Sequence, residues 1–295
     1  MVARPLVSVI IPTFNRRVYL AEAVESAIEQ THSNLEVIVA DDGSTDGTGA
    51  YVRGLGSDRI LYLALPHRGR PAPARNAGLR AASGEFVAFL DSDDRWQPDK
   101  VATQLRAFGA DESLGLVATD LVPFPAQRAT PLLGLEQPLE VELRALLREN
   151  PIANSSVMLR RSVVDLVGEL DESEELRGLE DYEYWLRVVR IARAVILPEP
   201  LLLYRRHEGN IGVQDLDQID RLCTIVERHR DFDPVEIDSV LEELEARRAF
   251  RQAMLDLDGG RTSLWRVLSK RELPWLDRLR LARHGLKRTK PFRRG

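Results

Sequence analysis

One cysteine, Cys223, stands in a chain of 295 residues. It excludes an intrachain disulfide and any cysteine-rich metal cluster. No apolar run approaches the length that spans a bilayer. The opening MVARPLVSVIIP passes straight into a strand-like run stopped by Pro12 and Asn15, and it lacks a signal-peptide cleavage pattern. A cytoplasmic compartment is therefore expected. GxGxxG is absent, which weakens a dinucleotide-dependent dehydrogenase. GxSxG is absent as well, so serine hydrolysis has little support. There is no internal repeat and no low-complexity tract.

What is present is an ordinary globular composition, 44% hydrophobic and 29% charged, in a chain long enough for one large domain with an appendage. The net charge of -5 conceals an asymmetry. From Arg261 to Gly295 twelve Lys or Arg face only Glu272 and Asp277, a net of +10. The acidic remainder argues against a nucleic-acid binder.

Val7–Ile11, Leu35–Ala40 and Phe86–Leu90 read as short buried parallel strands. Helices are expected over Val18–Gln30, about Gly47–Leu55, about Pro73–Ala82 and Lys100–Phe108, with weaker strands at Ile60–Leu63 and Gly115–Thr119. This alternation is the pattern of an open α/β sheet. Pro123–Pro138 reads as a surface loop and Ser155–Leu159 as a strand. Leu179–Val189 reads as a helix. Ala194–Leu197 and Leu201–Tyr204 read as strands bracketed by Pro198 and Pro200. From Leu216 the pattern is helical, broken at Pro234 and Pro274.

The chemistry gathers at strand ends. ADDGSTDGT places Asp41 and Asp42 at the carboxyl edge of the sheet, where open α/β folds bind ligands. The same residues are good turn chemistry, and Asp46 suits a helix N-cap. IIPTFNR ends the first strand; its Thr13 and Asn15 can offer polar contacts at that edge or cap the next helix. FLDSDDRW sets Asp91, Asp93 and Asp94 directly after a buried strand. On an extended segment Asp91 and Asp93 project to the same side and repel unless a cation or donors intervene. Mg²⁺ or Mn²⁺ takes oxygen ligands and accepts phosphate in its open positions, so the pair is a candidate diphosphate–metal site. A solvated turn before a helix is the alternative.

In Leu179–Val189, Tyr182, Trp185, Leu186 and Val189 form an apolar face, with Glu183 and Arg187 as a solvated i, i+4 pair opposite. Glu180 and Asp181 occupy the first turn, where acids complement the helix dipole. That dipole lowers the pKa of Asp181 while Glu180 raises it, and the sequence leaves the balance open.

Taken together, VSVIIPTFNR, ADDGSTDGT, RGRPAPARNAGLRAASGEFVAFLDSDD and GLEDYEYWLRV resemble the family 2 glycosyltransferases of GT-A fold, over residues 5 to 210. The resemblance implies a GT-A-like mixed α/β nucleotide-sugar-binding and catalytic domain over 1–215, followed by a helical region over 216–295. It implies inverting transfer of a sugar from a nucleotide-diphosphate donor to a hydroxyl acceptor, with Mn²⁺ or Mg²⁺ as cofactor. Asp91-Ser92-Asp93 matches the family's DxD, with Asp93 the direct metal ligand and Asp91 helping through water or the ribose. Asp41 or Asp42 resembles the base-contacting residue; Pro12 and Thr13, with Asn15 beside them, line the base and ribose pocket. Arg68 and Arg75 lie in the segment following the donor, Arg75 the better matched, and Asn76 holds the loop. Glu180-Asp181 matches the ED pair, with Asp181 as the base. YRRHEGN looks like the family's YRxH segment and makes His207 a candidate for metal or diphosphate. Family members often continue to a serine; here Ile211-Gly212-Val213 stands instead. No carboxylate is singled out as the nucleophile of a retaining reaction.

UDP is the first expectation for the nucleotide, with dTDP and GDP next. Leu264–Phe292 mixes tryptophans and leucines with arginines and lysines. It suits either an anionic membrane surface on the inner face of the membrane or a helix packed on the core. The membrane reading favours a lipid-linked saccharide acceptor over a free one. Nucleic acid is not an expected partner, and the oligomeric state is open. Two other readings compete: a sugar nucleotidyltransferase, which would release pyrophosphate, and a non-catalytic carbohydrate-binding protein of the same fold.

Overall fold

The three β-branched runs become parallel neighbours. β1 (Val7–Thr13) pairs with β2 (Leu35–Asp41) on one side and β4 (Phe86–Phe89) on the other, and β2 pairs with β3 (Ile60–Ala64). Every residue of β1 is buried, as a sheet covered on both faces requires. In this computed structural model the described residues are 4–125, 130–206 and 216–258. They fall into two compact units, one within Met1–Ile211 and the other within Gly212–Gly295.

In the first unit the sheet has nine strands among the described residues, in the order β3-β2-β1-β4-β8-β6-β9-β5. The remaining members are β5 (Arg95–Trp96), β6 (Leu114–Phe124), β7 (Leu139–Glu140, paired to β9), β8 (Met158–Arg160) and β9 (Arg193–Arg205). β8 runs antiparallel between β4 and β6, whereas β6 and β9 are parallel. The result is a mixed sheet, as expected. Helices α1 (Arg17–Ile28), α2 (Thr48–Gly54), α3 (Pro71–Ala81) and α4 (Lys100–Ala110) fill the first crossovers. α3 opens with Pro71, whose missing N–H costs nothing in a first turn. Short helices α5 (Leu143–Arg148) and α6 (Arg161–Val167) lead to α7 (Glu180–Val189).

Three expectations need correction. The two proline-bracketed strands are one strand, β9: the register skips between Thr119 and Asp120, and the irregularity absorbs Pro198 and Glu199 outside the ladder. The strand expected at Ser155–Leu159 begins later, because Asn154–Ser156 is a 3-10 turn in which the Ser156 hydroxyl donates to the Ala153 carbonyl at 2.7 Å. The expected loop Pro123–Pro138 starts inside β6, and Asp120 pins its far side by accepting from the Leu133 and Gly134 N–H groups at 3.1 and 2.9 Å.

The second unit holds α8 (Leu216–Glu227) and α9 (Pro234–Asp258), which contact one another, with Arg248 reaching Asp220 at 2.6 Å. His207, Pro274 and the basic tail lie outside the described residues. Among the described residues no helix is long and apolar enough to cross a membrane.

Candidate active site

The carboxyl ends of β1 and β2 lie side by side, with the Asp42 N–H donating to the Thr13 carbonyl at 2.9 Å. Asp41 is buried and accepts from the Ser44 N–H at 2.8 Å and the Tyr62 hydroxyl at 2.6 Å. Burial, then the Asp41 contact, push the Tyr62 phenol up to about 12. Asp42 turns the other way and accepts the N–H groups of Arg68 and Gly69 at 2.7 and 2.8 Å, with His67 at 2.9 Å. Gly43 takes the turn that follows at φ +83°, where an added Cβ would lie only 3.1 Å from that of His67.

Asn15 has a left-handed backbone (φ 49°), and its side-chain Oδ1 accepts the Thr45 N–H at 2.8 Å. It therefore ties the loop after β1 to the loop after β2. Pro12 is buried. Thr13 is buried too, and its hydroxyl has no hydrogen-bond partner among the described residues. Phe14, 40% exposed, stacks on His67 at 4.1 Å, and His67 in turn reaches Asp42. The Arg68 side chain is exposed.

The acidic segment after β4 is not extended. The Asp94 N–H donates to the Asp91 carbonyl at 3.0 Å, closing a turn, so side-chain alternation does not set where Asp91 and Asp93 point. Each acid has its own counterweight. Arg75 donates to Asp91 Oδ1 at 2.8 Å, and Arg16 pairs with Asp93. Ser92 is buried between them in sequence. Asp94, only 2% exposed, is driven well above the usual carboxylate range by burial and by its acidic neighbours. It takes the Ser155 hydroxyl at 2.6 Å and the Arg205 N–H at 2.9 Å. Arg205 also donates to the Asp93 carbonyl at 2.7 Å, with its guanidinium 4.4 Å from the Phe124 ring.

α7 completes the site. Gly178, at φ +78°, makes the bend before the helix, and its N–H donates to Glu180 Oε2 at 2.7 Å. The other Glu180 oxygen accepts from Arg75 at 2.9 Å. One guanidinium thus joins the turn after β4 to the start of α7. Asp181 is half-buried, takes the Tyr182 N–H at 2.8 Å, and is raised to about 6. Burial and the adjacent Glu180 outweigh Arg75 and the Tyr182 N–H. Asn76 is buried on α3; it donates to the Leu170 carbonyl at 2.9 Å and accepts the Leu170 N–H at the same distance, holding the loop before α7.

The Glu183–Arg187 pair is not solvated as expected. Glu183 is buried, and Arg187 also donates to the Val167 and Glu169 carbonyls at 2.7 and 2.8 Å, so the pair fastens α7 to the end of α6. Sequence reasoning also passed over Arg16, Phe14, Asn154 and Ser155. Asn154 donates to Asp91 Oδ1 at 3.0 Å, and the Ser155 hydroxyl accepts the Asp91 N–H at 3.0 Å. The signal available was polar residues inside a strand-like run, N-S-S before V-M-L.

Among the described residues no group of three or more His, Cys, Asp or Glu is placed to hold a metal ion, and His207 is outside them. Two carboxylates share the turn after β4: Asp91, whose Oδ1 is taken by Arg75 and Asn154 while Oδ2 accepts no described hydrogen bond, and Asp93, which pairs with Arg16. Mg²⁺-like ions are held by one or two carboxylates plus substrate phosphates, so this donor set fits such an ion.

A mixed sheet with paired acids at its carboxyl edge, a basic bridge and a second acidic pair defines a GT-A-like α/β protein. The Glycosyl transferase family 2 model matches residues 8–164, and the chain belongs to that family. It is 30% identical over 225 residues, covering 75% of this chain and 85% of the relative, to the Escherichia coli UDP-Glc:alpha-D-GlcNAc-diphosphoundecaprenol beta-1,3-glucosyltransferase WfaP. It is 30% identical over 263 residues, 84% of this chain and 75% of the relative, to the succinoglycan biosynthesis protein ExoO of Rhizobium meliloti. Among solved structures, S. aureus TarS 1-349 in complex with UDP-GlcNAc shares the fold with a TM-score of 0.66 at 24% identity, covering 82% of this chain and 72% of that one. The protein is a glycosyltransferase-type enzyme that takes a nucleotide-sugar donor.

Proposed function

We propose that this enzyme transfers a sugar, with inversion, from a UDP-sugar to a hydroxyl of a saccharide or lipid-linked saccharide acceptor. The observation that carries this reading is the double contact of Arg75, to Asp91 at 2.8 Å and to Glu180 at 2.9 Å. It makes one site of an acidic turn suited to a metal-bound diphosphate and an acidic helix start suited to a base. WfaP, whose name carries both UDP-Glc and a diphosphoundecaprenol-linked sugar, supports the donor and the lipid-linked acceptor.

Thr13, Pro12 and Asn15 border the base and ribose end with Asp41 and Asp42, and Phe14 offers an exposed ring for stacking on the base. Arg68 donates its backbone N–H to Asp42 at the same sheet edge. Asp93 and the open oxygen of Asp91 would hold Mn²⁺ or Mg²⁺, which when bound offsets the charge developing on the departing diphosphate. Arg16 and Arg75 keep positive charge beside both aspartates. At the other end Asp181 takes the proton of the acceptor hydroxyl as that oxygen bonds to the anomeric carbon. The bond from that carbon to the diphosphate oxygen breaks, and its electron pair leaves with the nucleotide. A carboxylate raised to about 6 is ionised at neutral pH yet more basic than an ordinary aspartate. Glu180, engaged on both oxygens, positions Arg75 and tunes Asp181.

A calorimetric screen of UDP-, dTDP- and GDP-sugars with Mn²⁺ or Mg²⁺, followed by product analysis, tests this. Metal-dependent binding of a UDP-sugar and release of UDP are expected. A panel without a metal-dependent binder would overturn the donor reading, and release of pyrophosphate from a nucleoside triphosphate supplied with a sugar 1-phosphate would point to nucleotidyl transfer.

A further inference from the structure

Arg205, the last residue of β9, holds the acidic turn after β4 with both its backbone and its side chain. Its N–H donates to Asp94 Oδ1 at 2.9 Å, and its Nε donates to the Asp93 carbonyl at 2.7 Å. Nη2 reaches Glu22 Oε2 on α1 at 2.7 Å, and that oxygen also accepts from Arg95 at 3.2 Å. The guanidinium carbon lies 4.7 Å from the centre of the Tyr19 ring and 4.4 Å from that of Phe124. One side chain, 13% exposed, therefore ties α1, the end of β6 and the end of β9 to a single peptide of the turn. A planar fork with several donors can make these contacts together, whereas a lysine ammonium is a point charge.

Arg75 and Arg16 pair with the carboxylates of Asp91 and Asp93. Arg205 grips the main chain: in taking the Asp93 peptide oxygen it fixes the backbone from which the Asp93 side chain projects. The start of the turn is fixed as well, the Asp91 N–H donating to the Ser155 hydroxyl at 3.0 Å. Groups that hold a metal's ligands in place commonly carry roughly 10- to 100-fold of its affinity. We propose that Arg205 is a positioning residue for the donor's metal ion, acting through Asp93 and not on the donor itself. This rests on the reading of Asp93 as a metal ligand above.

The test titrates Mn²⁺ by calorimetry into the full chain held with UDP, and measures UDP binding in EDTA alongside. In Arg205→Met the Mn²⁺ concentration for half-saturation should rise roughly 10- to 100-fold, while UDP affinity in EDTA stays within about twofold of wild type. Arg205→Lys, which keeps the charge and one point of donation, should fall between the two proteins. Turnover of Arg205→Met should recover as Mn²⁺ is raised, giving a higher KM for the metal at a similar kcat. A residue that only braced the fold would lower the melting temperature and the binding-competent fraction, and leave the Mn²⁺ midpoint in place. An unchanged midpoint in folded Arg205→Met would therefore overturn the proposal, and so would equal weakening of UDP with and without Mn²⁺. If Arg205→Met does not fold, Glu22→Gln frees one arm of the guanidinium and should raise the midpoint by roughly 2- to 5-fold, the worth of a half-exposed ion pair. No rise there would overturn the proposal as well. Wild-type binding of UDP that does not depend on Mn²⁺ would bring down the metal reading itself, and this proposal with it.

Discussion

Arg75 and Glu180 form an ion pair 2.9 Å long between side chains only 6% and 5% exposed, 105 positions apart in the chain. Burial works against the Arg75 charge, but Asp91, Glu180 and Asp181 together hold its pKa above the ordinary value. Two motifs that the sequence presents separately therefore meet on one guanidinium.

Removing that guanidinium while keeping the bulk should strand Glu180 as an unpaired buried acid. Arg75→Met is expected to cost about 3–5 kcal/mol of stability, the range for breaking a buried pair. Urea unfolding at neutral pH checks it. A loss under about 1 kcal/mol would mean the pair is no more than a surface bridge in its energetics.

Asp93 keeps 15% of its side chain exposed and pairs with Arg16, which is 37% exposed, so solvent screens the pair from one side. Asp93→Asn should change stability by less than about 1 kcal/mol. It should sharply weaken metal-dependent binding of the donor. Calorimetry with and without Mn²⁺ separates the two, and unchanged metal-dependent affinity would remove Asp93 from the metal site.

Much of this was legible because β-branched runs ending in acids mark the carboxyl edge of a parallel sheet, and the family and fold expectations are borne out. What the pattern could not show was the turn at Asp91–Asp94. An i→i+3 hydrogen bond leaves no periodic trace, so alternation along the sequence does not reveal that the backbone bends there. Pro198 and Pro200 read as strand breakers because only pairing with β6 shows that an irregular register accommodates them. Asn154 and Ser155 escaped notice for a related reason. Their roles come from contacts more than sixty positions away, which local composition does not carry. The two-residue strands β5 and β7 are too short to show a period at all.

The raised pKa of Asp181 has a consequence for stability. Its value of about 6 lies above the ordinary 3.8, so between those limits the folded state holds a proton that the unfolded state has released. Stability contributed at this site therefore falls as pH rises from about 4 to about 6, and the ionised group is unfavourable above that. Asp181→Asn should gain in melting temperature relative to wild type across this window. A difference independent of pH would show that the carboxylate titrates normally.

The basic tail makes a separate expectation from its net charge of +10 between Arg261 and Gly295. Removing the residues after Gly260 should reduce binding to vesicles rich in anionic lipid, and salt should weaken binding of the full chain. Equal sedimentation of folded full-length and shortened proteins with such vesicles would reject a membrane role.

In the proposed transfer Asp181, not Glu180, accepts the proton of the acceptor hydroxyl. The most direct test is the turnover of Asp181→Asn at saturating donor and acceptor, with Glu180→Gln alongside and folding checked for both. Turnover of Asp181→Asn should fall by roughly 10²–10⁴ while donor affinity stays close to wild type, as for loss of a positioned general base. Near-wild-type turnover of Asp181→Asn would contradict the account, and a far larger loss in Glu180→Gln would move the base one residue back.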